Sequence, residues 1–252
     1  MSTATAVEVS TIPSIGHSEA MALQAAELDL ALALLRTLDD NQWAAQTVCP
    51  DWDVRQMWLH VLGACEAGAS VPENLRQMRR ARQRRKELGV PLEVGLSGVQ
   101  VAEREHLSPS ELVERLELIA PKTVSGRART PRPLRAVKIG IDAPIVERWS
   151  LGYLIDVIYL RDAWMHRLDT ARAIGAAPVL TAEHDGRIVA DVVAEWARRH
   201  GQPFSLELTG VAGGVFVAEG GGEPIVFDAV EFCSVLSGRG SGDGLLATIV
   251  PF

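Results

Sequence analysis

Asp162 and His166 are the residues whose types and spacing best suit chemistry in this chain. They fall in the segment Tyr159-Leu160-Arg161-Asp162-Ala163-Trp164-Met165-His166-Arg167-Leu168-Asp169, inside the longest stretch of helical pattern. Four residues apart on a helix, their side chains lie on one face a single turn apart. A carboxylate and an imidazole so placed can grip one divalent metal ion. Tyr159 and Asp169 flank the same stripe and are candidates to support it, Asp169 by fixing a histidine tautomer or holding a substrate hydroxyl. Two ligands make a poor site, so a third is expected from another helix. His60 is the candidate, because it shares an apolar stripe with Met57 and Ala64, and a buried histidine needs a partner. Two histidines and one carboxylate leave coordination positions open, as catalytic zinc and non-haem iron sites do. The pattern alone also fits an Asp–His hydrogen bond without metal and an ordinary core histidine at position 60.

The elements that must position these groups follow from periodicity and caps. Residues 1–17 read as a disordered leader. A helix begins near Ser18, with Met21, Ala25, Leu28, Leu32 and Leu35 at steps of three and four. A second starts after the Cys49-Pro50-Asp51-Trp52 turn, with Asp51 or Asp53 as its cap, and carries His60 towards Gly68. A basic segment covers about 72–88, and Ser108-Pro109-Ser110-Glu111 opens a shorter helix. Residues 121–146, rich in proline and basic residues, read as a long connection of the kind that borders active sites. The longest helix is expected from Glu147 to Ile174, stopping at Gly175. After a break at 176–180, Thr181 caps a helix reaching His200, and the period then changes to two. Phe204–Leu208, Val215–Ala218 and Ile225–Phe227 read as short antiparallel strands, with Gly220-Gly221-Gly222 as a hairpin turn. Asp228 caps a helix through Leu236, and Leu245–Val250 reads as a last strand. The expected fold is mostly α: a helical bundle at 18–177, then a small α+β domain at 178–252.

Composition narrows the function classes. The 252 residues are 47% apolar with a formal charge of −7, which suits well-cored domains and opposes nucleic acid as the main partner. The run Arg76, Arg79, Arg80, Arg82, Arg84, Arg85, Lys86 is read as a solvated helix face rather than an anion or partner site. No apolar stretch approaches the roughly 20 residues needed to cross a bilayer, and the first seventeen residues do not look like a secretory signal. Cys49, Cys65 and Cys233 form no C-x-x-C pair, so neither a disulfide framework nor a cysteine zinc site is expected. The chain reads as cytoplasmic, monomeric or homodimeric, with no membrane partner. The glycines of Gly238–Gly244 neither follow a clear strand nor open a helix, so they do not read as a dinucleotide loop.

Two motifs carry a resemblance. Thr47-Val48-Cys49-Pro50-Asp51-Trp52-Asp53-Val54-Arg55 followed by His60 resembles the T-x-C-P-x-W-x-V-R-x-x-x-x-H opening of the mycothiol-dependent maleylpyruvate isomerase family, actinobacterial relatives of DinB-like metalloproteins. Arg161-Asp162 to Asp169 resembles its R-D-x-W-M-H-R-x-D motif, and Asp228 to Arg239, closing on Val250-Pro251-Phe252, resembles its terminal domain. The resemblance implies a DinB-like four-helix bundle carrying metal plus a small terminal domain. It places the metal ligands on His60, Asp162 and His166, with zinc the expected ion. The isomerase type has glutamate where this chain has Asp162, one methylene shorter.

The same resemblance implies mycothiol as thiol cofactor or co-substrate. A divalent cation favours the thiolate of a bound thiol, which otherwise is a minor species at neutral pH. Addition to a cis double bond and departure after rotation is isomerisation; retention or displacement is S-transfer, in either case on a small electrophile. Arg239, after Ser237-Gly238, is the candidate for an anionic group of substrate or cofactor, with a surface ion pair as its plain alternative. Trp164 is a candidate to line the pocket mouth. A rival from another class is a non-catalytic DinB-like module that binds metal or a protein.

Overall fold

The computed structural model describes residues 5–143 and 145–252. The first four residues of the expected leader, and Pro144 within the expected connection, lie outside the described residues. The chain divides into two compact units, Gly16–Ala177 and a second made of Pro178–Phe252 with the segment up to Ile15. That segment supplies strand β1, Val7–Glu8, which pairs in parallel with Phe216 and Val217. From Val7 onward the expected disordered leader is therefore corrected, because its extended backbone satisfies its hydrogen bonds on a sheet edge.

In the first unit, α1 is His17–Leu35 and the short α2 is Asp40–Trp43. Helix α3, Val54–Ala69, starts on Asp53, whose carboxylate accepts from Gln56 N at 2.7 Å while Gln56 Oε1 accepts from Asp53 N at 3.1 Å. This reciprocal cap satisfies two backbone donors that a helix start leaves open. Helix α4, Val71–Leu88, ends at Gly89, whose φ of 67° is left-handed. Helix α5, Leu92–Ala102, occupies a stretch where periodicity predicts no element.

Helix α6 runs over Pro109–Ala128, capped by Ser108 and Glu111. The expected long connection at 121–146 is thus corrected in its first part. Pro121 sits on the exposed side of α6, where it forfeits one backbone bond, while Ala120, Thr123 and Arg127 keep the buried stripe continuous. The short α7, Arg132–Arg135, leads to the antiparallel pair β2, Lys138–Ile141, and β3, Glu147–Ser150. The expected helix start at Glu147 is corrected as well, since Ile141 and Trp149 alternate inward on this ribbon. The helix begins instead at α8, Leu151–Tyr153, where Ser150 Oγ accepts from Tyr153 N at 3.0 Å. A π-helical turn, Leu154–Ile158, then leads into α9, Tyr159–Ala173. Helices α1, α6, α3 and α9 pack around one apolar core that includes Leu32, Trp58, Leu62 and Leu116, and they form the four-helix bundle. Helix α5 packs on α3 and α4.

In the second unit α10 spans Asp185–His200, with Trp196 packed on His200, Phe204 and Phe232. The strands β4, Phe204–Thr209, β5, Gly214–Ala218, and β6, Pro224–Asp228, join β1 in the order β1-β5-β4-β6. β4 pairs antiparallel with β5 but parallel with β6, so the all-antiparallel expectation is corrected. The three glycines at 220–222 consequently do not turn a hairpin between neighbours; they carry the chain past the start of β4. A Cβ at Gly221 would lie 2.7 Å from Ser205 Oγ there, and its φ is 84°. Asp228 caps α11, Ala229–Leu236. Gly244–Ala247 form a 3-10 turn in place of the expected last strand, because Leu245 O accepts from Trp196 Nε1 rather than from a ladder. No helix among the described residues is long and apolar enough to cross a membrane.

Candidate metal centre

The Thr47–Asp53 turn builds one wall of the site. Trp52 N donates to Cys49 O at 3.0 Å, and Trp52 O accepts from Thr47 Oγ1 at 2.8 Å and Gln46 Nε2 at 2.9 Å. These bonds fix the Trp52 ring, which stacks on His60 with centroids 5.2 Å apart at 28°. The sequence pattern T-x-C-P-x-W therefore has a local role: it clamps an aromatic ring onto an imidazole in the second turn of α3.

His60 on α3 meets Asp162 and His166 on α9. His60 Nε2 lies 3.6 Å from Asp162 Oδ2, and His166 Nε2 lies 3.3 Å from Asp162 Oδ1. The two imidazoles stand edge to face, 5.6 Å apart. One donor atom from each of the three residues falls within 4.8 Å of the others. Donors about 2 Å from a shared cation present mutual distances close to the two shorter ones. The His₂–carboxylate set thus fits a borderline divalent cation with positions left open. His166 is buried, whereas the Asp162 side chain keeps 27% of its surface exposed, so the cluster is reachable from one side.

Burial opposes ionisation of Asp162. The charge and hydrogen bonding of His166, then of His60, outweigh it and hold the carboxyl well below its ordinary range. The carboxylate is therefore anionic at neutral pH and ready to coordinate.

The remaining sequence candidates divide. Asp169 is buried with Oδ2 3.6 Å from His166 Nδ1, longer than a hydrogen bond. Tyr159 lies under the Arg127 guanidinium, 4.2 Å from ring centroid to Cζ. Burial pushes its phenol up, with Arg127 opposing. Trp164 is fully buried, because two residues from Asp162 is about 200° around the helix; it does not line a mouth. Arg239 lies in the second unit, where its amide donates to Ser234 O at 3.0 Å across left-handed Gly238 and closes α11.

Three residues escaped the sequence reading. Gln100, on α5, accepts at Oε1 2.8 Å from His60 Nδ1. A lone amide inside the apolar run of α5 was its only signal. Gln24 Nε2 donates to Ile155 O in the π-turn at 2.7 Å, and its Oε1 accepts from Arg127 at 2.8 Å. Arg127 so held borders a cavity of about 10 Å³ with Cys65, Tyr159 and Asp162, room for one water.

The family model for the mycothiol maleylpyruvate isomerase N-terminal domain matches residues 24–171, which include all three members of the cluster. Among solved structures, the chain is similar to a mycothiol-dependent maleylpyruvate isomerase at 17% identity, with 94% of each chain covered and a TM-score of 0.56. It is likewise similar to a histidine-to-alanine mutant of such an isomerase at 16% identity, with 93% of each chain covered and a TM-score of 0.55. At these identities the likeness establishes the fold alone. No curated protein matches the chain. The family model spans more than half of the sequence and the whole four-helix bundle core, and on that basis the chain belongs to the mycothiol maleylpyruvate isomerase N-terminal domain family.

Proposed function

We propose that the protein is a metal-dependent enzyme that uses a low-molecular-weight thiol, mycothiol by family membership, on a small electrophile. The observation that carries this reading is the convergence of His60 Nε2, Asp162 and His166 Nε2 at a partly open position. A dication held there would replace any protons on His60 and His166, take neutral nitrogens from both and the negative charge from Asp162, and so would retain one net positive charge. Held in this set, zinc supplies Lewis acidity that favours the thiolate of a bound thiol. Trp52 and the bundle core shield the cluster on its inner side, which strengthens electrostatic attraction to an anionic sulfur. Asp162 is one methylene shorter than a glutamate, so a metal held by it would lie closer to the backbone of α9. The outcome is cis–trans isomerisation if the thiol leaves after rotation, and S-transfer if it stays. We assign Arg239 to an anionic group of substrate or cofactor, on the strength of its residue type and its place between Ser237-Gly238 and a glycine-rich turn alone.

Isothermal calorimetry of mycothiol with zinc-loaded wild type and with His60→Ala tests the proposal. Binding to wild type and none to the variant is expected. Absence of any thiol affinity in zinc-loaded wild type refutes it, and leaves a protein that holds metal without thiol chemistry. Mass spectrometry of products from mycothiol and a panel of electrophiles then separates isomerisation from S-transfer.

A further inference from the structure

Behind His60 the structure holds a chain of two buried amides. His60 Nδ1 faces Gln100 Oε1 at 2.8 Å, Gln100 Nε2 donates to Gln77 Oε1 at 3.0 Å, and Gln77 Nε2 donates to Gly63 O at 3.0 Å and Glu73 Oε1 at 2.8 Å. Gln77 is fully buried and Gln100 is 2% exposed, so neither amide can exchange these partners for water.

The direction of the chain follows from its far end. Gly63 O is a backbone carbonyl and can only accept. The Glu73 carboxyl, held at about 2 chiefly by its hydrogen bond from Arg76, is ionised at neutral pH and also only accepts. Two obligate acceptors therefore claim the amino group of Gln77, and its oxygen must face Gln100. That oxygen claims the amino group of Gln100, whose oxygen must then face His60. An oxygen at 2.8 Å from Nδ1 requires the proton there, which leaves the lone pair of a neutral imidazole on Nε2, towards Asp162 and His166.

We propose that Gln100, oriented by Gln77, is a positioning residue that fixes His60 as the Nδ1–H tautomer and so presents Nε2 as a metal donor. The proposal rests on the metal reading above. Gly63 belongs to the same device: a Cβ there would stand 2.6 Å from both Cβ and Cγ of Gln100. Glycine thus lets α5 approach close enough for the amide to reach His60. Against a plain packing role stands the choice of two amides where apolar side chains would fill the same space without a directional requirement.

The test is nitrogen-detected NMR of the histidines in metal-free protein, at a pH well above the histidine range, together with zinc affinity by competition with a chromophoric chelator. Wild type is expected to show the Nδ1–H tautomer at His60. Gln100→Met keeps the bulk and removes the acceptor; it is expected to shift His60 towards Nε2–H and to bind zinc about 10–100-fold more weakly. An Nε2–H tautomer in wild type overturns the proposal. So does a folded Gln100→Met with unchanged tautomer and zinc affinity within about threefold of wild type. Should wild type bind no zinc, the metal reading fails separately, and the wild-type tautomer still decides the role of Gln100.

Discussion

Trp58 Nε1 donates to Thr170 Oγ1 at 2.8 Å, which joins the helix bearing His60 to the helix bearing His166. The Thr170 hydroxyl spends its own proton on His166 O at 2.7 Å, so it is both acceptor and donor in a fully buried position. The link sets the spacing of α3 and α9 within one turn of the candidate metal centre. Thr170→Val keeps the shape and leaves the indole donor buried without an acceptor. A loss of about 1–3 kcal/mol is expected in urea unfolding, with weaker zinc binding. An unchanged midpoint would show that the helices are spaced by packing alone.

Glu27 on α1 and Arg167 on α9 form a bidentate pair, with Nε to Oε1 at 2.6 Å and Nη2 to Oε2 at 3.1 Å. Both are buried, so removing Glu27 takes this bidentate carboxylate away from a buried guanidinium. Glu27→Ala is expected to cost about 3–5 kcal/mol. The double change Glu27→Met, Arg167→Met should cost less than Glu27→Ala alone. Urea titrations of the three proteins decide it, and a double variant weaker than the single one contradicts the argument.

Glu73 makes folding pH-dependent. Its hydrogen bond from Arg76 lowers the carboxyl from 4.5 to about 2; burial opposes, and Gln77 and the charges of Arg76 and Arg104 assist. The folded protein therefore binds fewer protons here than the unfolded chain between those values. The contribution is present above 4.5 and is lost as pH falls towards 2. The stability gap between wild type and Glu73→Gln should shrink over that window, and denaturation at a series of acid pH values measures it.

Cys65 borders the small cavity beside Asp162, but its thiol is not poised for attack. Burial pushes it up, against the opposing influence of Arg127 and Thr123. A disulfide reagent at neutral pH should leave Cys65 unmodified until the protein unfolds. Rapid native labelling of Cys65, located by peptide mass spectrometry, would place a reactive thiol at the centre instead.

Gly63→Ala is expected to push Gln100 off His60 and to weaken zinc binding about tenfold, while Gly16→Ala, where a Cβ meets nothing within 4 Å, leaves it unchanged. Chelator competition on both variants reads the difference.

The sequence by itself determined what is local. The caps at Asp53, Ser108 and Asp228, the helical repeats of the bundle, and the shared face of Asp162 and His166 all rest on hydrogen bonds and periods that span a turn or two. His60 was legible as a histidine on an apolar stripe, and the motif around it marked the family. Only the tertiary structure decided the rest. Pro121 continues a helix because the packed side keeps its stripe, β1 finds an edge more than two hundred residues later in the chain, and β6 runs parallel to β4. The amides that orient His60 come from positions 40 and 23 residues apart in successive links. Their direction depends on which atoms can only accept at the far end, a property of three-dimensional partners that no repeat in the sequence encodes.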